Sequence, residues 1–378
     1  MTSIYLDNNA TTRLDPAVAS VINACWTEGL VNPSSQHRAG QVARRQLEKD
    51  RVTILQHIGG KIDGMNTDRL LFTSGGTEAN NLAMFGLSGP GQQILISAVE
   101  HPSVIAAAQQ LASLNVDVRL IPVNSAGVVR LDALEGLLRD NSTSLVCVMA
   151  ANNETGVIQP IQAVVQLAHR YHALVHCDAV QWVGKYPTQF QEWNVDSLSI
   201  TCHKFHGPVG IGGLCLKSGL ALKPQLFGGF QQEGLRPGTE NVALAAGFSA
   251  ALARCTAEKT EFVLSMRQLL ESELKEKLPG IVINGDTVAR MPHTSNIALL
   301  GVNRQAFLLA ADMNGLCLST GSACASGSSD PSPVLVAMGC EKQIIDSSIR
   351  ISLAADNTFA QIHQTIEIIS RIYQSLKA

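Results

Sequence analysis

From residue 69 to residue 201 the chain alternates short apolar runs with helical stretches, and this alternation constrains the fold more than any other feature. Strand-length runs lie at 70–73, 93–97, 116–122, 145–150, 174–177 and 197–201, and helical patterns at 77–87, 102–114, 132–139 and 160–172 fall between them. Runs that are apolar throughout, rather than at every second residue, belong to strands covered on both faces. The expected fold is therefore α/β, a mainly parallel sheet between helices. In such a sheet ligands bind beyond the carboxyl ends of the strands. A chain of 378 residues with 46% hydrophobic and 16% charged residues is long enough for a large domain and a smaller partner. Asp15-Pro16 opens a first helix, and a second at 39–58 stops at Gly59-Gly60. A helical region at 241–278 leads to a second α/β region with strands at 281–284, 295–300 and 349–353 and a last helix from 358. The expected division places 15–254 in the large domain and 1–14 with 255–378 in the small one.

Charge and cysteine usage exclude several classes. A net charge of -3 leaves no basic surface for nucleic acid or an anionic membrane. Met1 to Ala10 has no basic or apolar leader, no apolar run reaches bilayer length, and the nine cysteines are scattered without a C-x-x-C pair. The chain is expected to be soluble, cytoplasmic and reduced.

Four strand ends carry chemistry toward one crevice. In Thr73-Ser-Gly-Gly-Thr-Glu-Ala-Asn80 a strand runs into Gly75-Gly76 and a helix opens at Thr77, which suits a phosphate cradle or an N-capped turn. His101 precedes Pro102 at a helix start, placed to stack on a planar ligand, to move a proton, or to cap the helix. Asp178 ends an apolar strand, where a carboxylate needs a cation such as a protonated pyridine, or the backbone donors of a turn. Lys204 follows the strand at 197–201 between His203 and His206. Desolvation and neighbouring positive charge favour its neutral amine, the form that makes an imine, whereas a strand-end lysine otherwise reaches water. A carboxylate for a pyridinium, a Gly-Gly-Thr turn for a phosphate and a lysine for an aldehyde together describe the handles of pyridoxal phosphate.

His169, His172, His176 and Cys177 make a tempting metal set, but they divide between a helix and a strand with opposed side chains, so no metal site is expected. Cys324 stands in a run of small residues, about 319–333, that has no apolar face. It reads as a thiol on a mobile surface loop, able to carry a nucleophile into a cleft or else incidental to a connector.

These residues resemble a known family, the cysteine desulfurases of the NifS/IscS type, within the class V aminotransferase-like, fold-type I pyridoxal phosphate enzymes. The resemblance runs through Tyr5-Leu-Asp-Asn-Asn-Ala-Thr-Thr12, Asn32-Pro-Ser-Ser-Gln-His37, Thr73 to Asn81, Glu100-His101, Ala151-Asn-Asn-Glu-Thr-Gly156, Asp178, Gln181, His203-Lys-Phe-His-Gly-Pro208, Arg236-Pro-Gly-Thr-Glu-Asn241 and Gly321-Ser-Ala-Cys324. It departs at Thr201-Cys202, Val209 and Pro102, none of which removes a catalytic group.

The resemblance implies a large domain with a seven-stranded type of sheet, and a homodimer. Lys204 would hold the cofactor as an imine, Asp178 would pair with the pyridine nitrogen, and His101 would stack on the ring. Gly76, Thr77, Thr201 and His203 would hold the phosphate with Thr239 of the partner subunit. Asn153 and Gln181 would bond the phenolic oxygen, and Arg350 with Asn32 would bind the substrate carboxylate. L-cysteine would give up its sulfur to Cys324 as a persulfide, leaving L-alanine. A sulfur-acceptor or scaffold protein would then take the sulfur for iron–sulfur clusters or thio-cofactors. Two sibling activities, selenocysteine lyase and a sulfide-releasing cysteine lyase, stand as alternatives, as does a non-catalytic assembly subunit.

Overall fold

The computed structural model describes residues 3–140, 142–321 and 330–377, so Cys324 lies outside the described residues. Its strands are β1 (Ile4–Tyr5), β2 (Arg69–Thr73), β3 (Gln93–Ser97), β4 (Asp117–Ile121), β5 (Thr143–Cys147) and β6 (Leu174–Asp178). Then follow β7 (Ser197–Thr201), β8 (Gly212–Leu216), β9 (Val282–Ile283), β10 (Thr294–Ala298), β11 (Leu316–Cys317) and β12 (Ser348–Ser352). Seven of them form one sheet in the order β2-β8-β7-β6-β5-β3-β4. Its pairs from β7 through β6, β5 and β3 to β4 are parallel, while β8 runs antiparallel to both β2 and β7.

The periodicity of two explains how the sheet is covered. Leu70, Phe72, Leu95, Val146, Val175, Leu198 and Ile200 enter one core, and Leu71, Ile94, Ile96, Leu145, Leu214 and Leu216 enter another on the opposite face. The helices Gly76–Leu87 and Pro102–Ser113 cover the second face, and Arg38–His57, Ile161–Arg170 and Val242–Ala253 supply the first. The inner strands β3, β5, β6, β7 and β8 are buried on both faces or nearly so, whereas β4 at the sheet edge is largely exposed.

The strand β8 is absent from the sequence reading because it opens on two glycines, which are depleted in strands. Packing requires them here. A Cβ on Gly212 would lie 2.6 Å from the carbonyl carbon of Gly75, and one on Gly213 would lie 2.6 Å from Leu70 Cδ1. The close approach at Gly212 lets the Thr73–Gly76 turn sit directly on the sheet edge. The helical region expected at 241–278 also divides, into Val242–Ala253 and Ala257–Lys277, with Thr256 Oγ1 accepting from Lys259 N–H at 3.4 Å to cap the second helix.

A third core joins Ile4 and Leu6 to residues of Ala257–Lys277, Arg304–Met313 and Phe359–Lys377, packed on the antiparallel sheet β12-β10-β9. The chain start is tied in by the parallel pair of β1 with β11 and by a bridge from Asp7 to Ser352. Val334, Leu335, Met338 and Ile345, by contrast, enter the core beneath the seven-stranded sheet. The C-terminal part of the chain therefore reaches back to the large sheet. Among the described residues no helix is long and apolar enough to cross a membrane.

Candidate active site

Because β2, β3, β5, β6 and β7 run parallel, the turns that follow them share one sheet edge. Gly76, Thr77, His101, Asn153, Asp178, Gln181, Thr201, His203, Lys204 and Arg350, all expected from the sequence, line one cleft there. Lys204 leaves the short 3-10 turn Cys202–Lys204 directly after β7. Its Nζ donates to the carbonyl oxygens of Asn9 at 2.6 Å and Ala10 at 2.8 Å. The side chain is thus held by the chain start, which is itself anchored where Asn9 N–H donates to Ser352 Oγ at 2.9 Å. Its own carbonyl accepts from Lys185 Nζ at 3.0 Å. Burial first, and then the charge of Lys204, pushes Lys185 down from 10.5 to about 7.

The helix beginning at Gly76 has Gly75 at its N-cap with no side-chain bond, so its first-turn N–H groups and dipole face the cleft. Thr77 lies inside the first turn and not at the cap. The same helix carries Asn80 one turn further along. Asn80 Nδ2 donates to Asp178 Oδ2 at 2.7 Å and to Ser103 Oγ at 2.9 Å, and its Oδ1 faces His176 Nε2 at 3.1 Å. Sequence reasoning gave Asn80 no role. The available signal was its spacing, one helical turn beyond Gly76 on the cleft side.

Asp178, 5% exposed, accepts from Val180 N–H at 3.0 Å as well as from Asn80. A carboxylate has about four acceptor positions, so this one retains capacity toward the cleft. Asp178 thus takes the backbone donor of its turn and also lines the cleft. His101 is likewise both a cap and a cleft residue. Its Nδ1 accepts from Ser103 N–H at 3.1 Å and meets Ser103 Oγ at 2.7 Å, which leaves Nε2 with the proton. Burial lowers its affinity for a second proton; Asp178 opposes this, and Lys204 and Arg350 add to it. His203 is pushed down to about 4 by burial and by Lys204 and Lys185, while its Nδ1 lies 3.2 Å from Thr11 Oγ1. Thr201 Oγ1 donates to Ile211 O at 3.0 Å.

Arg350, on β12, is 1% exposed. Its Nη2 donates to Asp7 Oδ1 at 2.7 Å and its Nη1 to Asn153 O at 3.1 Å. Arg350 Nε, Asn153 Oδ1, Gln181 Oε1 and Asn9 Oδ1 are buried without a hydrogen-bond partner. Buried polar atoms of this kind are costly unless a ligand answers them.

Two expected residues stand elsewhere. Asn32 is exposed and does not line the cleft, because its Oδ1 accepts from Ser34 N–H at 2.9 Å in a local turn. Within one chain Asn32 is therefore not brought together with Arg350. Thr239 is exposed and also outside the cleft of its own chain. His169 Nε2 lies 2.8 Å from Asp196 and His176 Nδ1 lies 2.8 Å from Ser197 Oγ. Among the described residues no three His, Cys, Asp or Glu side chains converge as metal ligands.

His176, 1% exposed, is pushed from 6.5 to about 4 by burial. Protonation therefore costs the folded state more than the unfolded chain. The contribution is complete above pH 6.5 and is lost as the pH falls to about 4, about 3 kcal/mol in all. Urea unfolding at pH 7 and near 4.5 is expected to show this loss, and His176→Gln is expected to have a flatter profile. Parallel profiles for the two proteins would contradict it.

An aminotransferase class-V family model matches residues 4–365. A cysteine desulfurase of Nostoc sp. is 40% identical over 386 aligned positions, covering 100% of this chain and 94% of that protein. Among solved structures, a NifS-like protein from Rickettsia africae superposes with a TM-score of 0.90 at 35% identity, covering 98% of this chain and 99% of the other. SspA in complex with cysteine superposes with a TM-score of 0.80 at 27% identity, covering 94% and 100%.

Proposed function

This chain belongs to the aminotransferase class-V family, and from that premise we infer that it is a cysteine desulfurase that takes sulfur from L-cysteine. The observation that carries the reading is the single cleft in which Lys204, Asp178, His101 and Arg350 converge at the carboxyl ends of the strands. The residues fit pyridoxal phosphate. The uncapped helix end at Gly76–Thr77 with Thr201 and His203 suits the phosphate, Asp178 the ring nitrogen, and the unpartnered Asn153 Oδ1 and Gln181 Oε1 the phenolic oxygen. When bound, that cofactor supplies an electron sink for the bonds around the substrate α-carbon.

The protein's own groups divide the remaining work. Lys204 is the base and acid that moves the α-proton, with its Nζ already aimed by the Asn9 and Ala10 carbonyls. Arg350 receives the substrate carboxylate, and its buried, unpartnered Nε supports that role. His101, neutral, covers the ring position. Cys324 as thiolate attacks the substrate sulfur: the new S–S bond forms as the sulfur–carbon bond breaks. The electron pair passes to the alanine carbon, which is protonated, so L-cysteine and one thiol become L-alanine and one persulfide. An acceptor or scaffold protein then takes the sulfur for iron–sulfur clusters or thio-cofactors.

We also propose a homodimer, because Thr239 is exposed and outside its own cleft and Phe227 and Phe230 in the preceding segment are 87% and 86% exposed. A cytoplasmic setting accords with free thiols at every cysteine among the described residues.

Incubation of the holoenzyme with L-cysteine is expected to yield alanine and protein-bound persulfide sulfur in equal amounts. Cys324→Ala is expected to abolish the persulfide. Full desulfuration by that variant would favour a sulfide-releasing lyase. Protein that stays colourless after reconstitution would favour the assembly subunit.

A further inference from the structure

We propose that Glu154 is a positioning residue that bonds Ser332 and packs against Gly321, on either side of the Cys324 segment, next to the cleft residue Asn153. The inference rests on the reading of Cys324 as the sulfur-accepting thiol. Glu154 is 2% exposed and sits in the turn after β5, beside Asn153, whose carbonyl holds Arg350. Its backbone is anchored on both sides, with its N–H donating to Asn152 Oδ1 at 2.9 Å and its carbonyl accepting from Asn296 Nδ2 at 3.3 Å.

The side chain then meets two points of the chain that flank residues 322–329. On the far side, Ser332 Oγ donates to Glu154 Oε2 at 2.6 Å and accepts from Leu335 N–H at 3.1 Å. Ser332 thereby caps the helix Pro333–Ala337, whose Val334 and Leu335 are in the large core. On the near side, Gly321 packs on the same oxygen so closely that a Cβ there would lie 2.9 Å from it. Two residues earlier, Ser319 exchanges backbone bonds with Arg350, Arg350 N–H to Ser319 O at 2.6 Å and Ser319 N–H to Arg350 O at 3.3 Å.

One buried carboxyl group thus gathers the entry and exit of the segment beside the residue proposed to hold the substrate carboxylate. Fixing both ends of a loop close together raises the effective concentration of its thiol at the substrate sulfur. Losing the Glu154 contacts loosens that hold, while Arg304 Nη2 still donates to Asp330 O at 2.6 Å and Ser319 stays paired with Arg350, and it leaves the cofactor cleft untouched.

The test separates substrate binding from sulfur capture in the pyridoxal phosphate holoenzyme. In Glu154→Ala the cofactor absorbance, and the cysteine concentration that half-saturates its change, are expected to stay within about two-fold of the parent. Single-turnover persulfide formation on Cys324, read by mass spectrometry, is expected to slow by about ten-fold or more. Glu154→Gln is expected to recover to within about three-fold, since its amide oxygen still accepts from Ser332 Oγ. An undiminished persulfide rate in Glu154→Ala would overturn the proposal, as would loss of the cysteine-induced absorbance change in step with the rate. Should Glu154→Ala fail to fold, Ser332→Ala decides: slower capture with unchanged cysteine saturation supports the clamp, and an unchanged rate overturns it. A parent that forms no persulfide on Cys324 would instead remove the functional reading beneath it.

Discussion

Lys204→Ala is expected to lose covalent retention of pyridoxal phosphate and at least about a thousand-fold in cysteine turnover, the upper part of the range for a general acid–base group. Among the described residues no other lysine lines the cleft. Lys185 donates to the Lys204 carbonyl, on the backbone side of the turn, and is not among the residues lining the cleft. Borohydride reduction followed by mass spectrometry would show the cofactor adduct in the parent and not in the variant. Partial rescue of turnover by a small added amine would assign the lost function to the amine itself. A variant that keeps a tenth of the parent rate would remove Lys204 from the chemistry.

Asp178→Asn is expected to lower turnover by about a hundred- to a thousand-fold while the fold survives, a loss of the size seen when one preorganised electrostatic partner is removed from a dry site. Asn at this position retains the shape and one acceptor, for either Asn80 Nδ2 or Val180 N–H, so the change removes the charge together with one of those two bonds. The cofactor is also expected to be held more weakly, which equilibrium dialysis would measure. Turnover within three-fold of the parent would mean that Asp178 serves only the turn at Val180. Asn80→Ala is a useful contrast, because Asn80 aims the carboxylate and also bonds Ser103 and faces His176.

Much of this site was legible because its parts lie where apolar runs end. Apolar runs make most of the strands recognisable, and in a parallel sheet the ends of strands are brought together whatever the sequence distance between them. Gly76, His101, Asp178 and Lys204 could therefore be grouped before any geometry was known. The strand β8 was not legible, since a glycine's value there lies in what a Cβ would strike, namely Gly75 and Leu70, and such contacts have no local signature. Nor was the grip of Asn9 and Ala10 on Lys204, which uses backbone carbonyls that every residue possesses. Asn32 shows the opposite case. A motif marked it, and a two-residue turn of its own holds it away from the cleft.

The sequence by itself determined the α/β class, the edge of the sheet at which the candidate site lies and the side chains that meet there, because the periodicity of burial and the ends of strands are local properties of the chain. Only the tertiary structure decided how those side chains are held: Asn80 bridging Asp178 to Ser103, Asp7 and Asn153 holding Arg350, and Glu154 meeting Gly321 and Ser332. Those contacts join residues far apart in the chain, and their energies depend on distances and burial that exist only once the sheet, the chain start and the C-terminal unit have packed together.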